Sequence, residues 1–205
     1  MTLASRLAAL KVVPVVSVPS AARAVELAQC LRDAGLGVIE LTLRTAAGLA
    51  AIEAIARAVP EILLGAGSVR TSEQARASID AGAAFLVAPA FNPAVSALSN
   101  AAGIAYLPGT ATPTEMETAA GHGHRFMKLF PAEVVGGKGL LKAVHGPMPD
   151  LTFCPTGGIT AATARSYLDL PNVVCVGGSW IATDAAIRDG DWTAIGANAR
   201  AVADL

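Results

Sequence analysis

Lysine is scarce in this chain. There are four, and Lys11, Lys138 and Lys142 fall in stretches expected to lie at the surface. Lys128 instead stands inside the apolar run FMKLFPA (126–132), with Phe126 and Phe130 on its own face of an extended segment. Lysine is almost never fully buried without a partner or a purpose. Desolvation disfavours the ammonium, and the neutral amine is a nucleophile able to form a Schiff base with a carbonyl compound. The bland alternative is a structural ion pair, but arginine would serve that end without the risk of neutralisation.

A second constellation lies in VIELTLR (38–44). Alternation along a strand puts Glu40, Thr42 and Arg44 on one face and Ile39, Leu41 and Leu43 on the other. The aliphatic face must pack on helices, so the charged face points inward. A buried ion pair is weak evidence for stability, which leaves acid–base chemistry and anion binding as the reasons to keep these groups. A third feature is the pair of turns Thr156-Gly157-Gly158 and Gly177-Gly178-Ser179. Paired glycines beside hydroxyls let backbone N–H groups approach an anion closely, phosphate above all; the alternative is that they merely turn the chain.

Other candidates carry less. His122 and His124 flank Gly123 with no carboxylate or cysteine at ligand spacing, and His145 sits in a polar turn, so no metal is expected. No G-x-S-x-G elbow supports serine catalysis. Gly65-Ala66-Gly67 starts a dinucleotide fingerprint, but Arg70 stands where its third glycine belongs. Cys30, Cys154 and Cys175 are an odd set without metal spacing and read as buried, reduced thiols of a cytoplasmic protein.

The elements that must position these residues are short apolar runs alternating with Ala-rich amphipathic stretches. The runs are 12–18, 38–43, 62–67, 85–90, 104–110, 126–132, 151–158 and 173–179, with midpoints 20 to 26 residues apart. A strand, a loop, a three-turn helix and a second loop need about that many residues. Ser20, Thr71, Thr112 and Thr160 stand where helix caps belong, and Pro113 occupies a first helical turn. Continuous apolar strands alternating with helices predict a parallel sheet covered by helices. The expected fold is α/β: a single (β/α)8 TIM barrel over residues 1–205, with a short N-terminal helix at about 2–10.

Composition narrows the function classes. Hydrophobic residues make up 53% of the 205 and charged ones 15%, which excludes a disordered chain or a coiled coil. A net charge of −1 gives no footprint for nucleic acid or an anionic membrane, and aromatics at 4% leave few platforms for stacking bases. Pro14 and Pro19 interrupt the apolar start, so no membrane span or signal peptide is expected there.

The motifs VIELTLRT, GAGSV, MKLFPAE, CPTGGI and VGGSW, in that order, resemble those of the 2-keto-3-deoxy-6-phosphogluconate (KDPG) and 4-hydroxy-2-oxoglutarate (KHG) aldolases. The likeness runs from Val12 onward. It implies a class I, metal- and cofactor-free lyase on a (β/α)8 barrel, a cytoplasmic homotrimer. Its reaction would cleave KDPG to pyruvate and glyceraldehyde 3-phosphate in the Entner–Doudoroff pathway. A further candidate substrate is 4-hydroxy-2-oxoglutarate, giving pyruvate and glyoxylate. By resemblance Lys128 is the Schiff-base lysine, Glu40 the general acid/base and Arg44 the holder of the substrate carboxylate. Ser68 stands where the GAGT motif has a threonine that helps Arg44, and Pro89 and Phe130 match residues lining the pyruvate pocket. Thr156, Gly157, Gly158, Gly178 and Ser179 fall on the distal, phosphate-binding part. The APAF segment (88–91) departs from the more usual SPG-type sequence. A threonine before the paired glycines resembles the gluconate-type rather than the galactonate-type relatives, which implies preference for KDPG over its C4 epimer. The rival readings are another phosphate-binding barrel enzyme and a non-catalytic phosphosugar-binding barrel, neither of which requires Lys128 or Glu40.

Overall fold

The computed structural model describes residues 1–205. Its strands are β1 (Val12–Val16), β2 (Val38–Thr42), β3 (Leu63–Gly67), β4 (Phe85–Val87), β5 (Ala105–Leu107), β6 (Gly109–Thr110), β7 (Phe126–Leu129), β8 (Thr152–Pro155) and β9 (Val176–Gly178). The helices are α1 (Leu3–Leu10), α2 (Ala21–Asp33), α3 (Gly48–Ala58), α4 (Ser72–Asp80), α5 (Pro93–Ala102), α6 (Pro113–Gly121), α7 (Gly137–His145), α8 (Ala161–Leu168), α9 (Asp184–Asp189) and α10 (Trp192–Arg200). No helix is long and apolar enough to cross a membrane.

All strand pairs are parallel. One sheet has the order β5-β4-β3-β2-β1-β9 and the other β6-β7-β8. The fifth apolar run is split by Pro108, whose ring nitrogen has no hydrogen to give. Ala105–Leu107 pairs with β4, and Gly109–Thr110 pairs with β7. The chain thus changes partners within one extended segment and joins the two sheets there. A bridge between Thr156 and Gly177 joins them again on the other side, so the strand order returns to its start as an α/β barrel.

The helices begin where their caps stand. Ser20 accepts from the Arg23 N–H and Thr71 from the Gln74 N–H, while Thr112 and Glu115 form a reciprocal box ahead of α6. Each capped helix lays an apolar stripe on the strands: α2 buries Ala24, Leu27, Ala28 and Leu31, with Val25 only half-buried. The outward-facing strand residues and these stripes merge into one cluster of 54 buried apolar residues. That packing fixes the strand ends as a rigid rim.

Candidate active site

Six strands take part in placing the charged pair. Parallel pairing sets Glu40 of β2 opposite Val15 of β1 and Gly65 of β3, and Lys128 of β7 opposite Gly109 and Cys154. Facing across the interior, Lys128 Nζ donates to Glu40 at 3.0 Å from Oε1 and 3.4 Å from Oε2. Lys128 is 6% exposed and Glu40 3%. Every other ion pair in the molecule lies at the surface. The carboxylate fits because Gly67 on the neighbouring strand has no side chain: a β-carbon there would stand 2.5 Å from Glu40 Oε1.

The pair opens onto a cavity of about 220 Å³. Lys128, Glu40, Arg44, Ser68, Pro89, Phe130, Thr156, Gly157, Gly158 and Ser179 all line it. Lys128 Nζ lies 5.5 Å from the centroid of the Phe130 ring, a cation–π distance. The expectation of two rings beside the amine is met by one. Phe126 borders a different depression, with Thr2 and Leu3, because 126 lies at the N-terminal end of its strand and the site at the C-terminal end. Arg44 has no acidic partner; its Nε–H donates to Thr42 Oγ1 at 3.2 Å, and its two terminal nitrogens have no acceptor within the protein. Ser68 adopts φ 61°, a left-handed conformation that turns it into the cavity.

At the distal end Gly157 and Gly158 take φ of 103° and 81°, which only glycine adopts without strain. The N–H groups of Gly157, Gly158 and Ser179 donate to no acceptor of the protein. Together with the Ser179 hydroxyl they form a set of neutral donors free for an anion. Holding this turn from behind, the Tyr167 hydroxyl donates to Glu133, and Glu133 packs against Gly158. Gly178 does not line the cavity. A β-carbon there would overlap the Trp180 ring, so packing explains that glycine, and Gly177 borders the cavity in its stead. A β-carbon on Gly177 would overlap the Thr156 hydroxyl, so the two turns are fitted to each other.

Sequence reasoning missed Val15 and Ile159 as cavity residues, because their place depends on how far each strand end projects. Thr42 and Gly177 stood on the inward face and in the glycine turn that the sequence singled out, without a role of their own, and both border the cavity. Two of the histidines have ordinary partners. His124 is buried, its Nε2 2.6 Å from Ser96 Oγ and its ring edge-on to Tyr106, while His122 is exposed, its ring tilted against Phe91 and its Nδ1 2.9 Å from the Thr118 carbonyl. No three His, Cys, Asp or Glu side chains converge where they could hold a metal ion. Cys154 and Cys175 are buried, and burial, then neighbouring Cys154, then Glu40, push the Cys175 thiol well up, which makes it a poor nucleophile. Cys30, by contrast, is only half-buried, with its thiol donating to the Trp192 carbonyl at 3.3 Å.

Known proteins resemble this chain in sequence and in fold. A family model described as KDPG and KHG aldolase matches residues 3–198. The 2-dehydro-3-deoxy-phosphogluconate aldolase of Pseudoalteromonas atlantica is 44% identical over 184 residues, 90% of this chain and 86% of that one. The KHG/KDPG aldolase of Escherichia coli is 40% identical over 184 residues, again 90% and 86%. Among solved structures, the KDPG aldolase of Legionella pneumophila, with pyruvate captured at low pH as a covalent carbinolamine intermediate, matches with a TM-score of 0.95. That match covers 98% of both chains at 37% identity.

Proposed function

The chain belongs to the KDPG and KHG aldolase family, and from that premise we propose that it cleaves 2-keto-3-deoxy-6-phosphogluconate to pyruvate and glyceraldehyde 3-phosphate through an imine on Lys128. The observation that carries this reading is the buried Lys128–Glu40 pair opening onto the cavity. A purely structural pair gains nothing from facing solvent-accessible space, and a non-catalytic phosphosugar-binding barrel gives no account of an amine held against a carboxylate there.

The mechanism follows from what these groups can exchange. With Glu40 as the acid of the pair, the Lys128 amine attacks the C2 carbonyl in its neutral form to give a carbinolamine. Glu40 protonates the departing hydroxyl, water leaves, and a cationic imine remains. Glu40, now a carboxylate, removes the C4 hydroxyl proton while the C3–C4 bond breaks toward the imine, which accepts the electron pair as an enamine. Release of the aldehyde, protonation of the enamine carbon by Glu40 and hydrolysis return pyruvate and the free amine. Positioned proton transfer of this kind contributes roughly 10²–10⁴-fold. Arg44 takes the substrate carboxylate with its free terminal nitrogens, helped by Ser68. Pro89 and Phe130 flank the pyruvyl part. The neutral donors of Gly157, Gly158 and Ser179 receive the phosphate, and the Thr156 hydroxyl, which donates to the Cys154 carbonyl at 3.4 Å, meets the distal hydroxyl with its lone pairs. The electron sink is the imine, so neither a metal nor a dissociable cofactor enters; the homotrimer is carried over from the resemblance to the family.

Borohydride trapping tests the reading. Pyruvate plus borohydride should add one reduced pyruvyl group, located by peptide mass on Lys128, with matching loss of activity. Labelling at Lys138 or Lys142, or no labelling, would overturn the imine assignment.

A further inference from the structure

Arg44 sits just beyond the end of β2, on an exposed stretch where a long side chain has many rotamers available. Something must aim it. Its Nε–H donates to Thr42 Oγ1 at 3.2 Å, and Thr42 is buried. A guanidinium only donates, so Thr42 Oγ1 is the acceptor there, and its own O–H is free to turn to Ser17 Oγ, 2.7 Å away at the end of β1. On the other side of Arg44, the Thr45 hydroxyl donates to the carbonyl of Val18 at 3.0 Å. The Ser17-Val18 segment therefore brackets Arg44 at both neighbouring threonines. Ser17 itself is half-buried and does not border the cavity.

We propose that Ser17 is a positioning residue for the substrate carboxylate, acting through Thr42 on the aim of the Arg44 guanidinium. With Nε occupied in this way, both terminal nitrogens are presented to the cavity as a fork suited to a carboxylate. Ser17 makes no contact with substrate. It fixes the hydroxyl that fixes the arginine. The inference rests on Arg44 as the carboxylate anchor of the proposed reaction.

The test measures half-saturation by pyruvate in borohydride trapping, together with KM and kcat for cleavage, in Ser17→Ala, Ser17→Thr, Arg44→Ala and the double variant Ser17→Ala/Arg44→Ala. Loss of one positioning hydrogen bond should raise half-saturation and KM roughly three- to tenfold while kcat stays within about twofold. Ser17→Thr keeps the hydroxyl and should restore both. In the Arg44→Ala background, Ser17→Ala should add nothing, since residues acting through one another are not additive. An unchanged half-saturation in Ser17→Ala, or an undiminished effect in the absence of Arg44, would overturn the role of Ser17 alone. If Arg44→Ala itself leaves pyruvate saturation unchanged, the anchor assignment falls, and the role of Ser17 falls with it.

Discussion

Ser68 is held in a conformation that costs the fold stability, and replacing it with glycine should separate stability from activity. Its φ of 61° places a β-carbon in the left-handed region, at a cost of about 1–2 kcal/mol. Its hydroxyl makes no hydrogen bond within the protein and borders the cavity, so it contributes little to the fold. Glycine removes the strain but adds freedom to the unfolded chain, worth about 0.5–1 kcal/mol. The net gain is about 0.5–1 kcal/mol, which for a chain of this size raises Tm by about 1–4 °C. On the proposed function the same change removes a donor to the substrate carboxylate, worth about 1.5–3 kcal/mol, so kcat/KM should fall by roughly ten- to a hundredfold. Ser68→Ala is the control: it keeps the strain and loses the hydroxyl, so its activity should fall like that of the glycine variant while Tm stays at the wild-type value. Calorimetric melts and steady-state cleavage of KDPG read both quantities. A glycine variant no more stable than the alanine one would refute the strain argument. Full activity in both would refute the role of the hydroxyl.

The distal polar groups should sort substrates. Thr156→Val should erode the preference for KDPG over its C4 epimer, and Ser179→Ala should raise KM, by roughly tenfold, for phosphorylated substrates and not for 4-hydroxy-2-oxoglutarate; comparable kcat/KM with and without phosphate in the wild type would show that the glycine turns only turn the chain. The buried His124 should make the fold acid-sensitive. Burial first, and the charge of His122 second, hold its pKa below the ordinary 6.5. The unfolded chain therefore binds a proton below pH 6.5 that the native protein refuses, and this contribution, complete above that pH, is lost as pH falls toward the native value. Urea midpoints measured from pH 7.5 to 5.5 should drop less for His124→Gln than for the wild type, and parallel curves would remove the histidine from the account.

The fold was legible because its signals are local. Ser20, Thr71, Thr112 and Thr160 announce helix starts by their own hydroxyls, and each strand carries enough aliphatic residues to stand out between them. Lys128 and Glu40 were legible as violations of those same rules, since a charge inside an apolar strand has to be explained. What stayed hidden depends on relations between strands. Nothing in the run 104–110 says that Pro108 marks a change of partners, because the cause is visible only once β4 and β7 lie on its two sides. Gly178 and Gly177 look alike in sequence; only the Trp180 ring over one and the Thr156 hydroxyl over the other distinguish them. Ser17 was silent for the same reason, as its partner lies 25 positions away.

The cavity has one sealed end and one open end, and this sets an order of departure. Lys128 lies at the sealed end, 6% exposed. Gly158 and Ser179 at the other end are exposed and offer dipoles rather than fixed charge. On the proposed mechanism, once the carbon–carbon bond breaks, the pyruvyl fragment stays tethered by a covalent bond at depth while the phosphorylated aldehyde is held only by neutral donors at the mouth. The aldehyde therefore leaves first, by the way it came in, and its exit admits the water that the imine needs for hydrolysis. In the synthetic direction the same geometry runs as a queue: the keto acid must be loaded before the aldehyde, because an aldehyde seated at the mouth bars the passage to the amine.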